Sequence, residues 1–109
     1  MIFTITDIIG NSVALDAKSG TKVADRVLSF AARNPAEPIA LDLTGLESFS
    51  ALFIYASIGK IACELKQRIA YTGVSSDVKK RKIDDAIELA VDEEKARDRQ
   101  RYMKEAMNG

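Results

Sequence analysis

The chain has no histidine, no tryptophan, one cysteine, and no surplus of either charge, with sixteen basic residues against sixteen acidic ones. Each absence excludes something. Without histidine it lacks the side chain best suited to proton transfer near neutral pH, which is also the commonest zinc ligand. Cys63 stands alone, so no internal disulfide can form, and its setting, Ile61-Ala62-Cys63-Glu64-Leu65, predicts a buried, inert thiol. A net charge of zero leaves no field to attract nucleic acid, an anionic membrane or an acidic substrate. The N-terminal run Met1 to Val13 has no basic flank and meets Asp7 too early for a signal peptide. The longest low-charge stretch, Leu46 to Ala62, is interrupted by Glu47 and Lys60 and falls short of the ~20 apolar residues that span a bilayer. A cytoplasmic protein with no cofactor and no metal is expected.

What is present suits one domain. At 109 residues and 47% apolar content the chain can bury a core without disulfide or metal staples. Ile2 to Thr6 alternates large apolar and small polar residues, the pattern of a half-buried strand. Asp7 to Asn11 turns, and Ser12 to Asp16 suits a second strand, forming a hairpin with the first. Val23, Val27 and Phe30, with Ala24, Leu28 and Ala31, then mark one face of a helix capped by Ser19 or Thr21 and ended at Asn34-Pro35. Pro38 to Leu43 is continuously apolar up to Asp42, as in strands covered on both faces of a parallel sheet.

Thr44-Gly45 closes that strand. A second helix follows, with Ser48 or Ser50 as its N-cap, running to about Gln67 and apolar on most of its circumference. Gly59 in its interior costs ~1 kcal/mol relative to alanine and predicts close approach to the sheet or another helix. Arg68 to Thr72 is a strand, Gly73 to Ser76 a loop, and a last helix starts near Asp77. Val78, Ile83, Ala86, Ile87, Ala90 and Val91 keep one packed face on it. From Asp92 the face gives way to charge, so residues 1–91 are read as the domain and 92–109 as a charged helical extension that projects from it. Tyr102, Met103, Ala106 and Met107 re-form an apolar stripe near the end, suited to a partner or a homodimer contact.

Chemistry is hard to place. Asp42 lies near a strand's C-terminal end, where parallel sheets bind ligands, but can equally hold the turn after it. The strand-to-helix loop Thr72-Gly73-Val74-Ser75-Ser76 offers amides and hydroxyls to an anion or nucleotide through Thr72, Gly73, Ser75 and Ser76, yet has neither GxGxxG nor GxxxxGK[ST]. Lys79 to Lys82 is the one basic run, and Asp84, Asp85 and Glu88 follow it, which predicts a solvated helix face with nucleic acid disfavoured. Ser48, Ser50 and Ser57 have no base, so no enzyme is expected.

The strand-turn-helix Leu41-Asp42-Leu43-Thr44-Gly45-Leu46-Glu47, continued by Phe53-Ile54-Tyr55-Ala56-Ser57-Ile58-Gly59-Lys60-Ile61, resembles the STAS domain, and more closely the bacterial STAS-like domain of unknown function. Ile5 to Asn11 and Gly20 fit the same pattern, and the likeness covers Ile2 to Ala90. The resemblance implies an α/β fold with a mixed four- to five-stranded sheet, helices packed on it and a long charged C-terminal helix. It also implies a non-enzymatic regulatory module like the anti-sigma factor antagonists, whose partner is a protein, kinase-like or sigma-regulatory. In phosphorylatable antagonists the turn ends in Asp-Ser-Ser/Thr-Gly, with phosphate on the second hydroxyl. Those positions here are Ser50, Ala51, Leu52 and Phe53, so leucine stands where the phosphoacceptor would. Glu47, Ser48, Phe49, Ser50 and Leu52 are the residues the resemblance offers as a docking surface.

Overall fold

A computed structural model describes residues 1–67 and 69–108, the side chain of Asn108 excepted, so Arg68 and Gly109 of the expected strand and extension lie outside the described residues. The order is β1 (Ile2–Thr4), α1 (Ile5–Ile9), β2 (Val13–Ala14), α2 (Ala17–Arg33), β3 (Ala40–Asp42), β4 (Ser48–Phe49) and α3 (Ala51–Ile54). A π-helical turn (Tyr55–Gly59), α4 (Lys60–Leu65), β5 (Ala70–Thr72) and α5 (Asp77–Asn108) complete it. The chain is α/β, with small parallel sheets, helices packed on them and a long C-terminal helix.

The strands differ from expectation in pairing. The described strands form two separate sheets, a three-stranded one in the order β1-β3-β5 and a two-stranded one of β2 and β4, every pair parallel. A single mixed sheet of four or five strands is not formed, and neither is the hairpin. The reason is local. Ile5 to Ile9 coils into a helical turn ended by Gly10 at φ 68°, and Asn11 then accepts a hydrogen bond from the Val13 N–H, so the chain leaves the first sheet before β2 begins.

Phe3, Leu41 and Tyr71 stand in one register row across the larger sheet. Phe3 and Leu41 are buried and Tyr71 half-buried, while Ala40 and Asp42 alternate to a face only partly covered. β3, expected to be covered on both faces, is therefore packed on one. Phe3 meets Phe30 of α2 edge to face, ring centroids 5.4 Å apart.

α2 begins earlier than its serines suggest. Asp16 is its N-cap and accepts from the Ser19 N–H at 2.9 Å, so Ser19 lies within the first turn and Thr21 beyond it. The carboxylate's hydrogen bond with the Ser19 side chain, and then that backbone bond, hold the Asp16 carboxyl below its ordinary range.

The expected second helix is one continuous run from Ala51 to Leu65, widened in its middle. The Lys60 N–H reaches the Tyr55 carbonyl five residues back, and buried Ser57 donates its hydroxyl to the Phe53 carbonyl at 2.7 Å. This run lies between α2 and α5, burying Phe53, Ile54, Ile58, Ile61 and Ala62. Its apolar circumference thus meets a helix on each side.

Two glycines make that possible. A Cβ on Gly20 of α2 would lie 2.7 Å from the Phe53 carbonyl oxygen and 2.8 Å from the Ala56 Cβ; one on Gly59 would lie 2.8 Å from the Ala90 Cβ of α5. The close approach expected at Gly59 is made to a helix. α5 continues through Val91 without a break, and its 32 residues, ~48 Å long, account for the 51 Å long axis of the molecule.

Gly59→Ala is expected to lower the urea midpoint: overpacking costs about 1–3 kcal/mol, against the ~1 kcal/mol that alanine gains in a helix. Ala90→Gly added to that variant should recover part of the loss, and a Gly59→Ala chain as stable as the parent would contradict the contact.

Candidate functional site

The turn between β3 and α3 is built by hydrogen bonds that use up most of its polar groups. Asp42 Oδ1 accepts from the Thr44 N–H at 2.9 Å, and its bonds to Thr44 hold the carboxyl below the ordinary carboxylate range. Asp42 therefore has the turn-holding role. The Leu46 N–H donates to the Leu43 carbonyl, and the Glu47 and Ser50 N–H groups donate to the Ser12 and Ala14 carbonyls, joining β4 to β2.

Ser50, not Ser48, is the N-cap of α3. Its hydroxyl accepts from the Phe53 N–H at 3.0 Å and donates to the Leu15 carbonyl at 2.7 Å, tying the start of the central helix to the end of β2. Ser48 is an exposed residue of β4.

The basic run on α5 straps this turn. Lys79 Nζ donates to the Glu47 carbonyl at 3.1 Å and Lys82 Nζ to the Phe49 carbonyl at 3.4 Å, the latter ammonium lying 5.5 Å from the Phe49 ring centre. Two of the four cations are thus engaged with the turn, where a solvated face was expected. Phe49, expected among the docking residues, is buried in the core and offers a partner no side chain.

That leaves Glu47, Ser48 and Leu52 exposed. Leu52, one residue into α3, is 54% exposed, and it forms a ridge between two depressions. On one side is an open, mainly apolar groove of about 820 Å³, walled by Leu52, Tyr55, Val78 and Leu89 with Lys82 and Asp85 at its edge. On the other is a hollow of about 360 Å³ between α2, α4 and α5, reached by Thr21, Lys60, Cys63 and Arg97. Val78, expected on the packed face of α5, is 78% exposed and lies on another side of the helix, where it shares a face with Leu89, eleven residues or about three helical turns on; sequence reasoning missed this groove wall.

Tyr55, shared by both depressions, donates its hydroxyl to the Glu93 carboxylate, and that bond raises its pKa. Cys63 is half-buried and donates to the Ala90 carbonyl at 3.3 Å; burial pushes its thiol up, away from the reactive thiolate.

The loop Thr72 to Ser76 is poorly suited to anions. Ser76 Oγ is occupied by the Lys79 N–H at 3.3 Å, at the start of α5. Gly73, at φ 84°, lies so close to the β3 turn that a Cβ there would come within 2.8 Å of the Asp42 carboxylate, a fixed negative charge beside the backbone an anion would need. Among the described residues no three metal-ligating side chains gather, and no helix is long and apolar enough to cross a membrane.

The raised thiol pKa gives a test with a definite sign. At a given pH a raised pKa means less thiolate, so Cys63 should react with iodoacetamide more slowly in the folded chain than in urea, and the folded rate should still be climbing at pH values where the unfolded rate has levelled off. Equal rates would place Cys63 in solvent.

No family model, no curated protein and no solved structure matches the chain.

Proposed function

We propose that this chain is a non-enzymatic regulatory module of STAS-like type that acts by binding another protein through the surface centred on Leu52. The observation that carries the reading is a leucine 54% exposed in the first turn of a helix whose cap, Ser50, is hydrogen-bonded on both sides. A large apolar side chain held on a rigid element beside an apolar groove has the character of an interface anchor.

Glu47 and Ser48 give the surface a polar rim, and Ala51 and Tyr55 continue it along the helix. The usual phospho-switch has no acceptor at its own position: Ser50 is engaged on both sides, and the position that would accept phosphate is Leu52 itself. Binding through such a surface is constitutive, governed by the partner's presence and not by charge added to the turn.

Leu52→Asp should remove partner binding. A lost central anchor costs about 2 kcal/mol or more, which is well over a tenfold loss of affinity in pull-down followed by titration against the captured partner. Leu52→Met should retain it, and phosphatase treatment of the parent should change nothing. Undiminished binding by a folded Leu52→Asp chain would overturn the proposal.

A further inference from the structure

α5 carries two faces. Ile83, Ala86 and Ala90 are buried against the body. A second face lies about 110° round the axis: at ~100° per residue, Val78, Leu89, Ala96, Met103 and Met107 fall within about 40° of one another. Val78 and Leu89 form the wall of the groove beside Leu52, while Met103 and Met107 belong to the exposed end of the same helix, where they are 63% and 84% exposed. The molecule therefore has an apolar hollow and an apolar projection on one continuous helix face, their centres ~30 Å apart along it.

Neither can cover the other within one chain. Between Asp77 and Asn108 there is no glycine or proline at which α5 could fold back. A second copy can cover both. We propose that two copies pair antiparallel along this face of α5, the Tyr102–Met107 end of each seated in the Leu52–Val78–Leu89 groove of the other.

Charge chooses the direction. Arg81, Lys82, Asp85, Asp92, Glu93 and Arg99 lie within about 60° of the apolar line, Arg81 beside the groove and Glu93 engaged by the Tyr55 hydroxyl. In a parallel pair Asp85, Asp92 and Arg99 would each face their own like charge. In the antiparallel pair that brings Met103 to the groove, Arg99 falls opposite Leu89, one turn from both Asp85 and Asp92 of the other copy. The zero net charge opposes neither arrangement, so this local pattern decides. The contact is isologous and closes at two copies.

The inference does not rest on the protein-partner reading, and its test uses the purified 109-residue chain alone. Sedimentation equilibrium at high micromolar concentration should give twice the 11.9 kDa chain mass. Met103→Glu with Met107→Glu should give the monomer mass with the helical circular dichroism retained. Direction is read by oxidation in a Cys63→Ser background: Asp85→Cys with Met103→Cys in one chain should form a covalent dimer, and Met103→Cys alone should not. A monomeric parent, a dimer indifferent to the two glutamates, or ready cross-linking by Met103→Cys alone would each overturn the proposal.

Discussion

The structure depends on how closely three helices can approach one another. The run from Ala51 to Leu65 is pressed between α2 and α5, and at both contacts a side chain is missing, Gly20 opposite Ala56 and Gly59 opposite Ala90. The missing atoms let the backbones meet, and the buried side chains around them, Phe53, Ile58, Ile61, Val23, Val27 and Ile83, fill the space that remains. The widened π turn falls at this point, carrying Ser57 with its hydroxyl turned back onto the Phe53 carbonyl, so the one fully buried polar side chain among the described residues is satisfied within its own helix.

The exposed features follow from that packing. Because α5 is held against the central helix at Ala90, its first turns lie beside the β3–α3 turn, and Lys79 and Lys82 reach the Glu47 and Phe49 carbonyls. The turn is thereby fixed from both ends, by Asp42 and Ser50 within it and by two ammonium groups from outside. Leu52 is presented from this framework with nothing packed over it, and Val78 and Leu89 stand across a groove from it. The proposed partner surface and the proposed self-pairing both draw on this arrangement. The first uses Leu52 as the ridge at the start of α3; the second uses the outer face of α5 and the same Leu52 as a groove wall, so a partner and a second copy compete for it.

Much of this was legible in the residues, and the failures have physical causes. Helix periodicity identified α2, the central helix and α5, because each has a one- or two-sided apolar pattern that no strand would bury. Gly59 announced a close contact because a glycine inside a helix needs a reason. The strand pairing was not legible. Short apolar runs carry no signal for which neighbour they join, and the helical turn Ile5–Ile9 reads by alternation as the continuation of a strand. The cap at Asp16 was hidden by the hydroxyls that follow it. Leu52 was found through a missing hydroxyl, whereas Phe49 was misplaced because strand β4 buries one of every two residues and the sequence does not say which. The straps from Lys79 and Lys82 cross more than thirty residues of chain, and nothing local predicts them.

The central claim is that the run Ala51–Leu65 is the most tightly held element of the molecule, with everything exposed arranged around it. Native-state amide hydrogen exchange tests this most directly. The amides from Phe53 to Ala62, the π turn included, should exchange only through global unfolding, at the slowest rates in the chain and with the full urea dependence of that transition. Exchange there by local opening, faster than in the body of α2, would contradict the account.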